Sequence, residues 1–294
     1  MPRVIHGLAE LADGYDVVLS DVWGVLHNGA AYFEKAAEAL RRFRAKGGAV
    51  VLITNSPNPS RIVRAHLERL GVPGEAYDAI VSSGDVTVAL LIERAAAALF
   101  HVGPAWETAL FEEVLALTGK KPRLAPLDEA AFVLCTGLSD PARETPADYD
   151  ASLAQMRERG LDFICANPDI VVQDGEELAY CAGAIAERYA AIGGRVIQAG
   201  KPFPPIYERA LARASDLRGG ELARAGVLAI GDAMRTDIKG ACDQGLASLF
   251  VTSGIHREEL HGAEEDAALD AAALRQFAEG AGFAPTAAIA ELVW

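Results

Sequence analysis

The sequence predicts an α/β protein, an open parallel sheet interrupted by a second, smaller α/β unit. Short apolar runs alternate with amphipathic stretches from Val17 onward, which is the pattern of βαβ units. The early runs each end in polar, turn-forming residues. The rhythm continues through the middle of the chain with new strand candidates, and apolar runs meeting Gly and a charged residue follow late in the chain.

Residues 17–20 read as a buried strand running into Asp21, followed by Trp23-Gly24. Ala36, Ala39, Leu40 and Phe43 recur at helical spacing, and Gly47-Gly48 supplies the stop. A strand over 49–53 ends in Thr54-Asn55-Ser56-Pro57, and a helix over 60–70 puts Val63, Leu67 and Leu70 on one face. A third strand, 79–82, ends in Ser83-Gly84. Residues 85–178 hold new strand candidates at 99–102, 132–135 and 163–166 and are assigned to an inserted cap domain. The strands 196–199, meeting Gly200-Lys201-Pro202, and 227–230, meeting Gly231-Asp232, are read as the first unit resuming. The expected division is therefore a core of 1–84 and 179–294 around a cap of 85–178. The Ala-rich stretch after Gly254, with Glu264, Glu265, Asp266 and Asp270, is expected to be a solvated helix with its apolar side on the core.

With 294 residues, 51% of them hydrophobic, the chain is long enough for a large buried core. A net charge of -14 repels phosphate backbones and anionic lipids, which argues against nucleic acid and membrane as partners. The N-terminus has no apolar targeting segment, and no run is long enough to span a membrane. Cys135, Cys165, Cys181 and Cys242 form no Cys-x-x-Cys pair, so they read as reduced, buried thiols in a cytoplasmic protein.

The polar strand ends ask for one kind of ligand. A carboxylate past a buried strand, such as Asp21, is placed where open α/β sheets bind ligands and can act as a nucleophile. Thr54 and Asn55, with Ser56 beside them, offer hydroxyl and amide groups to phosphoryl oxygens. Lys201 stands beside Pro202, a residue suited to a first helical turn, so its ammonium is expected near the positive end of a helix and needs an anion. Asp232 and Asp237 add two carboxylates which, with Asp21, make an oxygen-only set suited to Mg²⁺.

These residues resemble the motifs of the haloacid dehalogenase (HAD) superfamily, class IIA, with its C2a cap, the NagD-like branch related to pyridoxal phosphatase and phosphoglycolate phosphatase. The first motif matches Asp21 through Leu26, the second Ile53-Thr54-Asn55, the third Gly200-Lys201-Pro202 and the fourth Gly231-Asp232 through Asp237. The cap signature appears as Asn167-Pro168-Asp169, followed by Cys181-Ala182-Gly183. The resemblance implies a Rossmann-like HAD core with a parallel sheet plus an inserted α/β C2-type cap, and a Mg²⁺-dependent phosphatase for a small phosphorylated metabolite. It makes Asp21 the nucleophile and a metal ligand, Asp232 a second ligand, and Asp237 an orienting carboxylate at the metal. Thr54, Asn55, Ser56, Lys201 and Asp169 become substrate or phosphate contacts, with Thr54 and Lys201 also in the catalytic set. The backbone carbonyl of Trp23 completes the metal ligands. A homodimer is compatible with it, since many relatives pair through their caps.

Trp23 occupies the position where family phosphatases carry an acid-base Asp, and an indole cannot transfer that proton. The resemblance therefore implies a preference for activated leaving groups, with a phosphate-binding pseudo-enzyme as the alternative. Other readings stay open at single residues. Trp23 is a core aromatic or stacks on a substrate ring. Thr54 and Asn55 cap a turn or bind phosphate. Asp237 caps a helix, supports the metal, or does both. His27 and His256 are satisfied loop histidines or stand-ins for the missing acid-base group. Asp169 ends a strand or meets substrate, and Arg235 is solvated or reaches an anion. Lys120 and Lys121 are the only cap lysines that carbon-phosphorus cleavage could use.

Overall fold

The computed structural model describes residues 2–174, 177–262 and 268–294. The chain forms two compact units, one of Met1–Thr54, Arg64–Val81 and Tyr207–Trp294, the other of Asn55–Val63 and Ser82–Ile206.

The first unit is built on a seven-stranded sheet. With strands numbered in chain order, it runs β1 (Arg3–Val4), β14 (Ala287–Ile289), β13 (Ala247–Val251), β12 (Val227–Gly231), β2 (Val17–Ser20), β3 (Ala49–Thr54) and β4 (Ala79–Ser82). The pairings from β1 through to β3 are all parallel. From β2 the chain steps outward to β3 and β4, whereas from β12 it steps the other way to β13 and β14. The junction of β2 and β12 is thus a topological switch point, and the crevice beyond its strand ends is where such sheets bind ligands. Every residue of these two strands is buried, which is why both read as continuous apolar runs rather than alternating ones.

The helices behave as their spacing predicts. Glu34–Ala45 buries Ala36, Ala37, Ala39, Leu40 and Phe43. Near the C-terminus, Asp270 accepts from the N–H groups of Ala272 and Ala273 and caps the helix Ala271–Ala281, which buries Leu274 and Ala278. Asp270 is thus an exposed helix cap; Glu264, Glu265 and Asp266 lie outside the described residues.

The second unit carries a five-stranded parallel sheet in the order β11 (Arg195–Gln198), β8 (Asp162–Cys165), β7 (Phe132–Cys135), β5 (Ala98–Val102), β6 (Arg123–Leu124), and an antiparallel hairpin of β9 (Val171–Asp174) and β10 (Glu177–Tyr180). Its core includes Val133, Leu153, Met156, Phe163, Ile185 and Tyr189. The expected boundary at residue 179 is corrected here. β11 pairs with β8 from Arg195 to Gln198. The helix Ala182–Ala191 packs Ile185, Ala186 and Tyr189 into the same core, and the Tyr189 hydroxyl donates to the Leu161 carbonyl. An edge strand satisfies the same apolar pattern in either sheet, so periodicity alone misassigned residues 179–206. Among the described residues, no helix is long and apolar enough to cross a membrane.

The helix Ser83–Glu93 opens this unit through a capping box: Ser82 Oγ accepts from Asp85 N–H at 3.0 Å, and Asp85 Oδ2 accepts from Ser82 N–H at 3.0 Å. Ser82→Ala is expected to lower stability by about 1 kcal/mol and the thermal midpoint by roughly 2–4 °C, read by calorimetry; an unchanged midpoint would show that the cap contributes nothing.

Candidate active site

Three carboxylates meet at the switch point. Asp21 is the first residue past β2, and its N–H extends the ladder by donating to the Ile230 carbonyl at 2.8 Å. Its Oδ1 accepts from Val22 N–H at 2.7 Å, and Ser20 Oγ donates to its carbonyl at 2.9 Å. Asp232 follows β12, with Oδ2 accepting from Ile255 N–H at 2.9 Å. Asp237 lies on a π-helical turn, Met234–Ile238, where its Oδ2 accepts from Ala233 N–H at 3.1 Å. The Tyr207 hydroxyl reaches the carbonyls of Thr236 and Asp237 at 3.5 and 3.3 Å and steadies that turn. Asp237 therefore binds backward within the turn rather than capping the helix Lys239–Asp243, whose N-cap has no side-chain bond.

Oxygens of Asp21, Asp232 and Asp237 lie within 4.8 Å of one another, and all three residues are buried. Glycines make room for them. A Cβ on Gly24, whose φ is +81°, or on Gly254 would come within 2.0 Å of Asp232 Oδ2, and one on Gly231 within 2.1 Å of Asp237 Cγ. At an effective dielectric near 20, each pair of charges this close repels by about 3–4 kcal/mol. Such a cluster closes comfortably only around a cation, and three carboxylates with no sulfur or nitrogen donor fit a hard divalent ion.

The segment after Asp21 folds back on itself. Gly24 N–H donates to the His27 carbonyl at 2.8 Å, and short bridges join Trp23 to His27 and His27 to Tyr32. His27 is 2% exposed, with its ring edge-on to Trp23 at 5.0 Å and to His66 at 5.5 Å. Burial, helped by His66, pulls its pKa down to about 4. Its Nδ1 accepts from Gly29 N–H at 2.9 Å, so the neutral ring carries its proton on Nε2 and has no free lone pair to take another. His27 is thus a satisfied loop histidine. The half-buried Trp23 indole is a wall of this flap rather than a core aromatic: a Cβ on Gly29 would fall 2.7 Å from its ring. His256 is pinned too, by Glu259 at Nδ1, by Met234 N–H at Nε2, and by T-shaped contacts with Phe250 and Phe277.

Thr54 ends β3 and is 6% exposed. In the second unit, Lys201 is 2% exposed and its backbone is held by Asn55: Lys201 N–H donates to Asn55 Oδ1 at 2.7 Å, while Asn55 Nδ2 donates to the Lys201 carbonyl at 3.1 Å and to Asp169 Oδ1 at 2.9 Å. Both amide hydrogens of Asn55 are engaged, one on the Lys201 carbonyl and one on Asp169. Ser56 Oγ accepts from Asn58 N–H at 3.3 Å, a local turn bond. The expected helix start is also corrected: Pro202 precedes the helix Pro204–Arg218, so Lys201 sits ahead of the first turn. Arg235, Lys120 and Lys121 are exposed; neither lysine is desolvated as a Schiff-base amine requires. Two groups at the site were missed by sequence reasoning. Gly254 had a signal in the Thr252-Ser253-Gly254 turn after β13, whereas Tyr207, inside a helix, had none.

A carboxylate cluster at the switch point of an open parallel sheet defines an α/β enzyme of the kind that works on a ligand beyond its strand ends. Residues 18–115 match the family described as haloacid dehalogenase-like hydrolase, and residues 198–276 one described as HAD-hydrolase-like. A hydrolase of the haloacid dehalogenase-like family from Brucella suis is 43% identical, covers 99% of this chain and 100% of its own, and superposes with a TM-score of 0.84. The D-glycerol 3-phosphate phosphatase of Mycobacterium tuberculosis is 28% identical over 253 residues, 85% of this chain and 66% of that protein. A glycerol phosphate phosphatase of M. tuberculosis, solved in complex with calcium, is 27% identical with a TM-score of 0.62, over 83% of this chain and 68% of its own. The chain thus spans about two thirds of the length of these mycobacterial relatives. The protein belongs to the haloacid dehalogenase-like hydrolases, with the α/β core and added unit that its sequence predicts.

Two outcomes follow from the geometry. Asp237→Asn should raise the cation-free unfolding midpoint, by about 2–4 °C per kcal/mol of repulsion removed, and shrink the gain on adding Mg²⁺; a lowered midpoint with an undiminished Mg²⁺ gain would contradict the cluster's charge balance. For His27, the unfolded ring titrates near 6.5 and the folded ring near 4, so the unfolded state binds more protons in between. Its contribution is fully present above pH 6.5 and is lost as pH falls toward 4, up to about 3 kcal/mol. His27→Asn should flatten that slope in urea unfolding measured from pH 7 to 4.

Proposed function

We propose that the protein is a phosphatase for a small phosphorylated metabolite and works through an aspartyl-phosphate at Asp21. The meeting of Asp21, Asp232 and Asp237 at the switch point, in a chain of this family, carries the reading. Asp21, Asp232, Asp237 and the Trp23 carbonyl would hold Mg²⁺, which when bound offsets the charge of the cluster and of the phosphoryl group. An Asp21 oxygen attacks phosphorus as the bond to the leaving oxygen breaks. The Val22 N–H on Oδ1 fixes the carboxylate's plane for that attack. Water then attacks phosphorus, inorganic phosphate departs, and the Asp21 carboxylate is regenerated. Thr54 offers its hydroxyl and Lys201 its ammonium to the phosphoryl oxygens. The protein is read as cytoplasmic, where its thiols stay reduced, and as able to form a homodimer.

Trp23 decides which substrates turn over. General acid-base help is worth about 10²–10⁴ in rate, and neither the indole nor His27 supplies it. Positioning and electrostatics remain, and they provide most of the acceleration in phosphoryl transfer. Aryl and acyl phosphates, whose leaving groups need little protonation, should therefore be preferred to alkyl phosphates. Trp23 also favours a second reading, a phosphate-binding protein without turnover.

Release of phosphate from an aryl phosphate should depend on Mg²⁺ and vanish in Asp21→Asn; binding of inorganic phosphate with no release would favour the second reading. Trp23→Asp should raise hydrolysis of an alkyl phosphate such as glycerol 3-phosphate by about 10²-fold or more, and equal rates on alkyl and aryl substrates in the unaltered protein would overturn the role given to Trp23.

A further inference from the structure

We propose that Asn55 is a positioning residue that aims Lys201, gripping its backbone from both sides and tying it to Asp169. The inference rests on the phosphatase reading, in which the Lys201 ammonium meets the phosphoryl group. One buried amide makes three bonds: its Oδ1 takes the Lys201 N–H, and its two Nδ2 hydrogens go to the Lys201 carbonyl and to Asp169 Oδ1. Bonding both the N–H and the C=O of one residue mimics a neighbouring strand and holds the backbone on both sides of the Lys201 Cα. A lysine carries about 2 kcal/mol of side-chain rotational entropy. A fixed Cα is what lets so long a side chain return to one place.

The surroundings are shaped for this amide. A Cβ on Gly200 would come within 2.3 Å of Asn55 Oδ1 and 2.7 Å of Pro168 Cδ, so the residue before Lys201 must be glycine for the amide to enter. The third anchor is itself held: Asp169 N–H donates to Asn167 Oδ1 at 3.1 Å, and a Cβ on Gly183 would collide with the carbonyls of Pro168 and Asp169 at 2.3 and 2.4 Å. The uncharged amide accepts from the Lys201 N–H while donating to the Lys201 carbonyl and to Asp169. Aspartate has the same shape, but it would lose both donors and set a second negative charge about 3 Å from Asp169. The buried thiols of Cys165 and Cys181 lie close to Asp169 and stay protonated.

The test combines kinetics on an aryl phosphate with calorimetric binding of inorganic phosphate. Asn55→Ala should lower kcat/KM and phosphate affinity by about 10- to 100-fold. In a Lys201→Ala background the same change should alter phosphate affinity by less than about twofold, because the effect passes through Lys201. Asn55→Asp, despite its shape, should be worse than Asn55→Ala at pH 7, with the gap closing below about pH 5 as a proton shared with Asp169 restores a donor. Multiplying effects in the double variant, or an Asn55→Asp protein that matches the unaltered one at pH 7, would overturn the proposal. If the unaltered protein binds phosphate but releases none, the phosphatase reading fails, and the affinity cycle still decides the role of Asn55.

Discussion

Repulsion among Asp21, Asp232 and Asp237 is the constraint from which the arrangement of the first unit follows. Three buried carboxylates within 4.8 Å are tolerated only if the backbone brings them together and leaves room for a counter-charge. The parallel pairing of β2 with β12 sets the first two side by side. A regular α-helix after β12 would have carried the third away; the wider π turn returns it to the cluster. Gly24, Gly231 and Gly254 stand where any side chain would occupy the space the oxygens need.

The two units hold different candidate residues. The first holds the carboxylates and Thr54, while the second holds Lys201, Asn55 and Asp169. Within the second unit the anchoring is done by an amide rather than by charge. Asn55 can be fully satisfied while buried, at a cost far below that of an isolated ion.

Much of this was legible in the sequence because it depends on local pattern. Continuous apolar runs ending in Asp, Thr or Gly-Asp mark strands buried on both faces, and their ends coincide with Asp21, Thr54 and Asp232. The helices over 34–45 and 60–70 followed from spacing alone. What failed depended on pairing at a distance. The run at 196–199 has the composition of a strand in either sheet, and only its register with β8 assigns it. The partners of the Asn55 amide lie 114 and 146 residues away, so no local reading could show them. His27 gave a titratable group; that its Nδ1 is spent on Gly29 is a matter of flap geometry.

The packing of Trp23 against His27 also gives the molecule an optical reporter. Of the three tryptophans, Trp106 is 72% exposed and Trp294 ends the chain, whereas Trp23 lies two residues from Asp21 with an imidazole edge against its ring. Indole emission responds to the polarity around the ring and is quenched by a nearby imidazolium. Because His27 stays neutral down to about pH 4, the emission of Trp23 at neutral pH is free of that quenching, and the signal needs no attached dye.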